Sequence, residues 1–146
     1  MIDVVALGEL LIDFAAKSTD ASGYPTMAAN PGGAPGNFLA ALNAYGKKTA
    51  FLGKVGSDTF GHLLLGTLNG AGIETKGIVE DNSVFTTLAF VTFDENGDRS
   101  FSFARKPGAD TQLTWEEIDK SLIDDARVNF LPGQLGIRPG FPGEGK

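Results

Sequence analysis

Gly32-Gly33-Ala34-Pro35-Gly36-Asn37 is the stretch that decides how this chain folds. It follows a polar segment and precedes an apolar-periodic run. Two adjacent glycines let the backbone turn sharply and leave it open to direct contact with a ligand. Pro35 pre-sets a helical φ and withholds an N–H that a first helical turn leaves unpaired anyway. Phe38, Ala41, Leu42 and Tyr45 then recur at helical spacing, and Gly46 stops the run. The stretch therefore predicts a glycine loop that opens a helix, with Asn37 carrying an amide on the first turn. Backbone N–H groups at such an end aim at something polar. A tight strand-to-helix turn that binds nothing fits the local pattern equally well.

Upstream, Val4 to Leu7 is a continuous apolar run ending at Gly8, which predicts a buried strand. Leu10 to Ala16 is a second apolar run interrupted by Asp13. A carboxylate in such a run is costly unless it is paired or faces a cleft. Asp13 is either a ligand-facing acceptor for hydroxyls or the solvent side of a simple alternation. Lys17 to Asn30 is polar and small, and predicts a loop or a short lid ribbon.

Downstream, Thr49 to Val55 predicts a strand. Gly56-Ser57-Asp58 opens a second helix with Ser57 or Asp58 as cap. Phe60, Leu64, Leu68 and Ala71 form its buried face, His62 lies off that stripe, and Gly70 and Gly72 end it. Lys76 to Glu80 predicts a short strand. Thr87 to Phe93 and Arg99 to Arg105 predict a hairpin about Asn96-Gly97, with one polar face. Lys106-Pro107-Gly108-Ala109-Asp110 ends it in a loop. Thr114-Trp115-Glu116-Glu117 is a capping box that predicts a helix through about Ile123, and Arg127 to Leu131 predicts another buried strand.

The 146 residues give room for one ordinary domain with a real core, and 42% hydrophobic with 21% charged residues fits a soluble globular chain. A net charge of −6 argues against broad nucleic-acid or anionic-membrane binding, yet leaves a local anion site possible. The absence of cysteine excludes disulfides and thiolate metal sites, and the single histidine, His62, leaves little for Ser-His-Asp catalysis. Asp3, Glu9 and Asp13 interrupt the N-terminal apolar run, so it is neither a signal peptide nor a membrane span, and a cytoplasmic location is expected.

Three motifs together carry a resemblance. Gly8-Glu9-Leu10-Leu11-Ile12-Asp13-Phe14, the Gly32-to-Asn37 turn and Gly53-Lys54-Val55-Gly56-Ser57-Asp58-Thr59-Phe60-Gly61 resemble the ribokinase-like (PfkB) carbohydrate kinases. Leu39 departs from the strict pattern, which asks for Ser, Thr or Ala. Arg105-Lys106-Pro107-Gly108-Ala109-Asp110 is most similar to the fructokinases. The resemblance covers roughly residues 1 to 130. It implies an α/β fold, a ribokinase-like doubly wound sheet with a small β-lid, with residues 1–131 as the N-terminal, substrate-side part. It implies a fructose-like sugar held by Asp13, Gly32, Gly33, Asn37 and Arg105. A carboxylate, a bare backbone, an amide and a guanidinium suit a polyol. In the complete family enzyme, ATP and Mg²⁺ serve the phosphoryl transfer.

The family's catalytic aspartate lies in a Gly-Ala-Gly-Asp motif of the C-terminal half, beside the nucleotide pocket, and neither occurs in these 146 residues. No catalytic, cofactor-binding or metal-binding residue is therefore assigned, and tight binding of ATP or Mg²⁺ is not expected. Pro132 to Lys146 holds five glycines and three prolines without periodicity, and is expected to be an irregular tail, truncated or frame-shifted. Gly140-Phe141-Pro142-Gly143-Glu144-Gly145-Lys146 matches the start of a phosphate-binding loop, but the Ser or Thr and the helix that the mechanism needs do not follow. Three functions stand at this point: the substrate side of a sugar kinase, a non-catalytic sugar-binding or dimerisation module acting through the lid hairpin, and a fragment with no function of its own.

Overall fold

In chain order the strands are β1 (Ile2–Leu7), β2 (Leu11–Thr19), β3 (Pro25–Gly32), β4 (Thr49–Gly56), β5 (Ile78–Asp81), β6 (Leu88–Phe93), β7 (Arg99–Ala104) and β8 (Ala126–Phe130). The helices are α1 (Ala34–Ala44), α2 (Thr59–Gly70) and α3 (Lys120–Asp125). The computed structural model describes residues 1–131, so the expected tail lies outside the described residues.

β1 pairs in parallel with β4 on one side and β8 on the other, in the order β5-β4-β1-β8. Its alternate side chains enter two separate cores. Val4 and Ala6 pack with Leu39, Phe51 and Leu64, under α1 and α2. Val5 and Leu7 pack with Leu52, Leu113 and Leu122, toward α3. Burial on both faces explains why the run shows no polar alternation.

The second sheet has the order β3-β2-β6-β7 and forms the lid. Here Lys17 to Asn30 resolves into a ribbon rather than a loop. β2 and β3 pair antiparallel around a turn in which the Asp20 carboxylate accepts the N–H groups of Ser22 and Tyr24 at 2.9 Å. β6 and β7 form the expected hairpin, from Leu88↔Ala104 to Phe93↔Arg99. Phe14 of β2 stacks on Phe90 of β6 and meets the edge of Phe60 of α2, so aromatic contacts seat the lid on the body.

α2 follows its expectation: the Asp58 carboxylate caps it by accepting from Phe60 N and Gly61 N, and Leu64 and Leu68 are buried. α1 forms where expected, but its buried side differs. Pro35, Gly36 and Leu39 face the core, while Phe38 and Tyr45 are 39% and 83% exposed. The reason is close approach. A Cβ on Gly36 would lie 3.7 Å from a Leu68 methyl and 3.8 Å from the Phe51 ring, so the helix packs through its smallest residues. Leu39, the departure from the family pattern, is fully buried in that core.

The helix expected from Thr114 to Ile123 is split. The box closes a 3-10 turn at Trp115–Glu117, where the Glu117 carboxylate accepts Thr114 N at 2.9 Å. The chain then extends at Ile118, and Asp119 caps α3 afresh by accepting from Ser121 N. Lys54, 4% exposed, pins this turn to β4: its ammonium pairs with Glu117 at 2.7 Å and Asp81 at 3.0 Å.

Candidate functional site

Because β4 and β8 flank β1 on opposite sides, the order of the parallel sheet reverses at β1. Ligands of such sheets collect at the carboxyl end of that strand. Gly8 and Glu9 occupy this end, and Glu9 joins the pieces of the site. Its backbone carbonyl lies against Gly33, where an added Cβ would stand 2.5 Å from Glu9 O. With φ at +115°, Gly33 could not carry a side chain without strain in any case. The Glu9 carboxylate accepts from Arg105 Nη2 at 3.1 Å.

Asp13 is the third residue of β2, opposite Asn30 of β3 and beside Ala89 of β6, because the run Leu10 to Ala16 enters the lid sheet. Its carboxylate lies against Gly32, the last residue of β3, where a Cβ would overlap Asp13 Oδ2. Partial burial, with the nearby Glu9 charge, raises the Asp13 pKa above the ordinary range. No side-chain or backbone donor among the described residues reaches this carboxylate.

Arg105 follows β7 and is held rather than free. Asp110, whose side chain is completely buried, grips its guanidinium through Oδ2 to Nη2 and through Oδ1 to Nε at 3.3 Å. Thr87 Oγ1 donates to the same carboxylate. Burial alone would lower the Arg105 pKa, but Asp110 and Glu9 raise it. Gly108 permits this packing, since a Cβ there would run into Thr87 Oγ1 and come within 3.0 Å of Arg105 Cγ.

Asn37 is exposed on the first turn of α1, and no side chain caps that end of the helix. It lines a shallow, mainly apolar groove with Pro31, Leu64 and Leu68. Gly32 and Gly33 border this groove as well, whereas Asp13 and Arg105 do not. The structure thus joins Gly33 and Arg105 through Glu9, sets Asp13 against Gly32 within reach of the Glu9 charge, and places Asn37 on the flank of the glycine turn.

Glu9 and Asp110 were missed as site residues. Both stood inside quoted motifs, but only pairing with a residue far away in the chain reveals their part. What the arrangement offers a ligand is carboxylate acceptors and bare backbone, with one guanidinium already neutralised. That set suits hydroxyl groups.

Parallel sheet, lid and glycine turn together define a carbohydrate kinase scaffold. The sequence matches the pfkB family carbohydrate kinases over residues 1–138, and the chain belongs to that family. The match runs a little past the stretch of roughly residues 1 to 130 that the sequence resemblance covers. Among curated relatives, the chain is 43% identical over 136 residues to a fructokinase of Solanum tuberosum and 43% identical over 138 residues to fructokinase-2 of Oryza sativa subsp. japonica. These alignments take in 92% of this chain but 42% and 40% of those proteins. The fructokinase of Xylella fastidiosa superposes with a TM-score of 0.83 at 34% identity, over 90% of this chain and 41% of that one. A putative ribokinase II of E. coli superposes with a TM-score of 0.80 at 27% identity, over 90% and 43%. Among the described residues, no helix is long and apolar enough to cross a membrane.

Proposed function

We propose that this chain is the sugar-binding side of an ATP-dependent kinase of the fructokinase type, which moves the γ-phosphoryl group of ATP to a hydroxyl of a fructose-like sugar. One observation carries this most directly. The Asp13 carboxylate stands against the bare backbone of Gly32 with no donor among the described residues, an acceptor left open for hydroxyls. Gly33 supplies close backbone approach, Asn37 an amide at the rim, and Arg105 a cation at the lid. The relatives' names support the substrate class, and an ATP-bound form of the Xylella fastidiosa fructokinase supports ATP as donor.

The cleft does not itself suit a nucleotide. A triphosphate needs rows of N–H and cationic donors, and this site presents mainly carboxylates. No step of phosphoryl transfer is assigned to these residues, and Mg²⁺ belongs with the nucleotide. A polypeptide of these 146 residues alone is expected to bind sugar without turning it over, and the setting is the cytoplasm. The stacked, exposed rings of Phe101 and Phe103 on β7 favour a second copy as lid partner. The alternative, a non-catalytic sugar-binding or dimerisation module lacking kinase activity, has no support in the comparisons.

Calorimetric titration of fructose into the 146-residue chain, beside Asp13→Ala, tests the sugar reading. Binding by the parent that weakens by roughly tenfold or more on losing Asp13 is expected, since an unmade hydrogen bond in a closed site costs about 1–3 kcal/mol. Equal binding by both overturns it. A coupled ADP-release assay tests the second point, and sugar-dependent turnover at ordinary kinase rates would refute it.

A further inference from the structure

The sugar cleft contains a guanidinium, yet the surroundings of Arg105 are acidic. Asp110, with its side chain buried, holds it, and so does the partly exposed Glu9. Asp13 lies close enough to Glu9 for their charges to repel. Two carboxylates thus hold the cation, and a third acts on Glu9. The two acids on Arg105 differ in kind. The Asp110 side chain is completely buried and fixes the guanidinium plane by gripping its Nε–Nη2 edge with both carboxylate oxygens. The Glu9 side chain is 40% exposed and meets the same Nη2 at 3.1 Å. An anchor needs only the first. The second occupies the side of Arg105 that an anionic group of a ligand would otherwise claim, because bidentate guanidinium sites bind carboxylate and phosphate well.

We infer that Glu9 is a specificity residue: by occupying Arg105 at the carboxyl end of β1, it makes the cleft accept neutral sugars and reject sugar acids and sugar phosphates. The inference rests on the sugar-kinase reading of the same cleft and narrows its substrate class. Discrimination arises by repulsion. An anionic polyol meets Glu9 and Asp13 as like charges and finds Arg105 already paired, whereas a neutral polyol meets only acceptors. Residue 105 alone would suggest the reverse preference.

Fructose and gluconate, a neutral and an anionic polyol of similar size, are titrated calorimetrically into the 146-residue chain, Glu9→Gln and Glu9→Asp. The parent is expected to bind fructose at least about tenfold more tightly than gluconate. Glu9→Gln should bring the two affinities together or reverse them, with gluconate lost again when Arg105→Ala is added. Glu9→Asp, which keeps the charge, should restore the parent's preference, and thermal melts confirm that each variant is folded. Gluconate binding by the parent as tight as fructose overturns the inference and leaves the sugar site standing; this arm needs no variant. An unchanged preference in folded Glu9→Gln also overturns it. If the parent binds no fructose but Glu9→Gln gains gluconate through Arg105, the charge filter stands and the fructose reading fails.

Discussion

Glu9 Oε2 lies 3.1 Å from Arg105 Nη2, an ion pair that joins the end of the first strand to the end of the lid hairpin across 96 positions of the chain. The two residues leave different sheets. Their contact, with the Phe14–Phe60 edge contact, fixes how the lid stands over the body. Both groups are partly exposed, so the pair contributes more to orientation than to stability.

Asp13→Asn should cost binding but not stability. The Asp13 pKa is raised by burial first and by Glu9 second. The folded state therefore holds the proton more tightly than the unfolded chain, and stability falls as pH rises through the interval between the two values. At neutral pH the asparagine variant should melt at or above the parent's temperature while binding fructose roughly tenfold or more weakly. Melts and calorimetry at pH 7 check this, and a clear drop in melting temperature would contradict it.

Gly33→Ala and Gly46→Ala separate strain from collision. Both glycines have positive φ, +115° and +80°. An alanine at 46 meets nothing within 4 Å, while one at 33 meets the Glu9 carbonyl at 2.5 Å. Gly46→Ala should cost about 1–2 kcal/mol, the left-handed penalty alone. Gly33→Ala should cost clearly more, because backbone must move, and should also weaken fructose binding. Urea unfolding of both variants decides it.

Asp110→Asn should destabilise the fold by about 2 kcal/mol. The buried carboxylate accepts from Thr87 and Arg105, and an amide would turn an N–H₂ toward one of those donors. A double-mutant cycle with Arg105→Ala should give a coupling of roughly 1 kcal/mol or more. Additive effects would mean the two residues act independently.

Lys54→Met should cost roughly 2–3 kcal/mol, at the lower end for a broken buried pair because Asp81 and Glu117 keep some solvent contact. The pH dependence carries a second signature. The Asp81 pKa is lowered by Ser83 first and then by Lys54, and that of Glu117 is lowered mainly by Lys54 against its burial. Acids depressed on folding stabilise above their unfolded values and lose that contribution as pH falls below about 4. The Lys54 pKa is raised by the two acids against burial, so its share is present at neutral pH and lost only above about 10. Removing Lys54 should flatten the acid limb of a stability–pH curve. An unchanged limb would show that the ammonium does not govern these acids.

By itself the sequence determined the alternation of strands and helices, the glycine turn, the lid hairpin and the family. Each of these is written in local signals: apolar runs, turn residues, caps and motif spacing act within a few positions. What the tertiary structure decided was which side of each element is inside and which charges meet. α1 carries apolar residues on more than one side, so spacing favoured Phe38 and Tyr45. The close approach permitted by Gly36 gave the core to Leu39. Asp13 sits in an apolar run that reads the same in either sheet, and only its register with Asn30 and Ala89 places it in the lid. The capping box at Thr114 is a true helix signal, yet it closes only a 3-10 turn that Lys54, far off in sequence, ties to β4, and the chain extends at Ile118. The motifs single out Arg105, but no local reading pairs it with Glu9 and Asp110. They form a site only because folding brings the end of β1 and the end of β7 together, and a pairing between distant charges leaves no periodic mark in the chain.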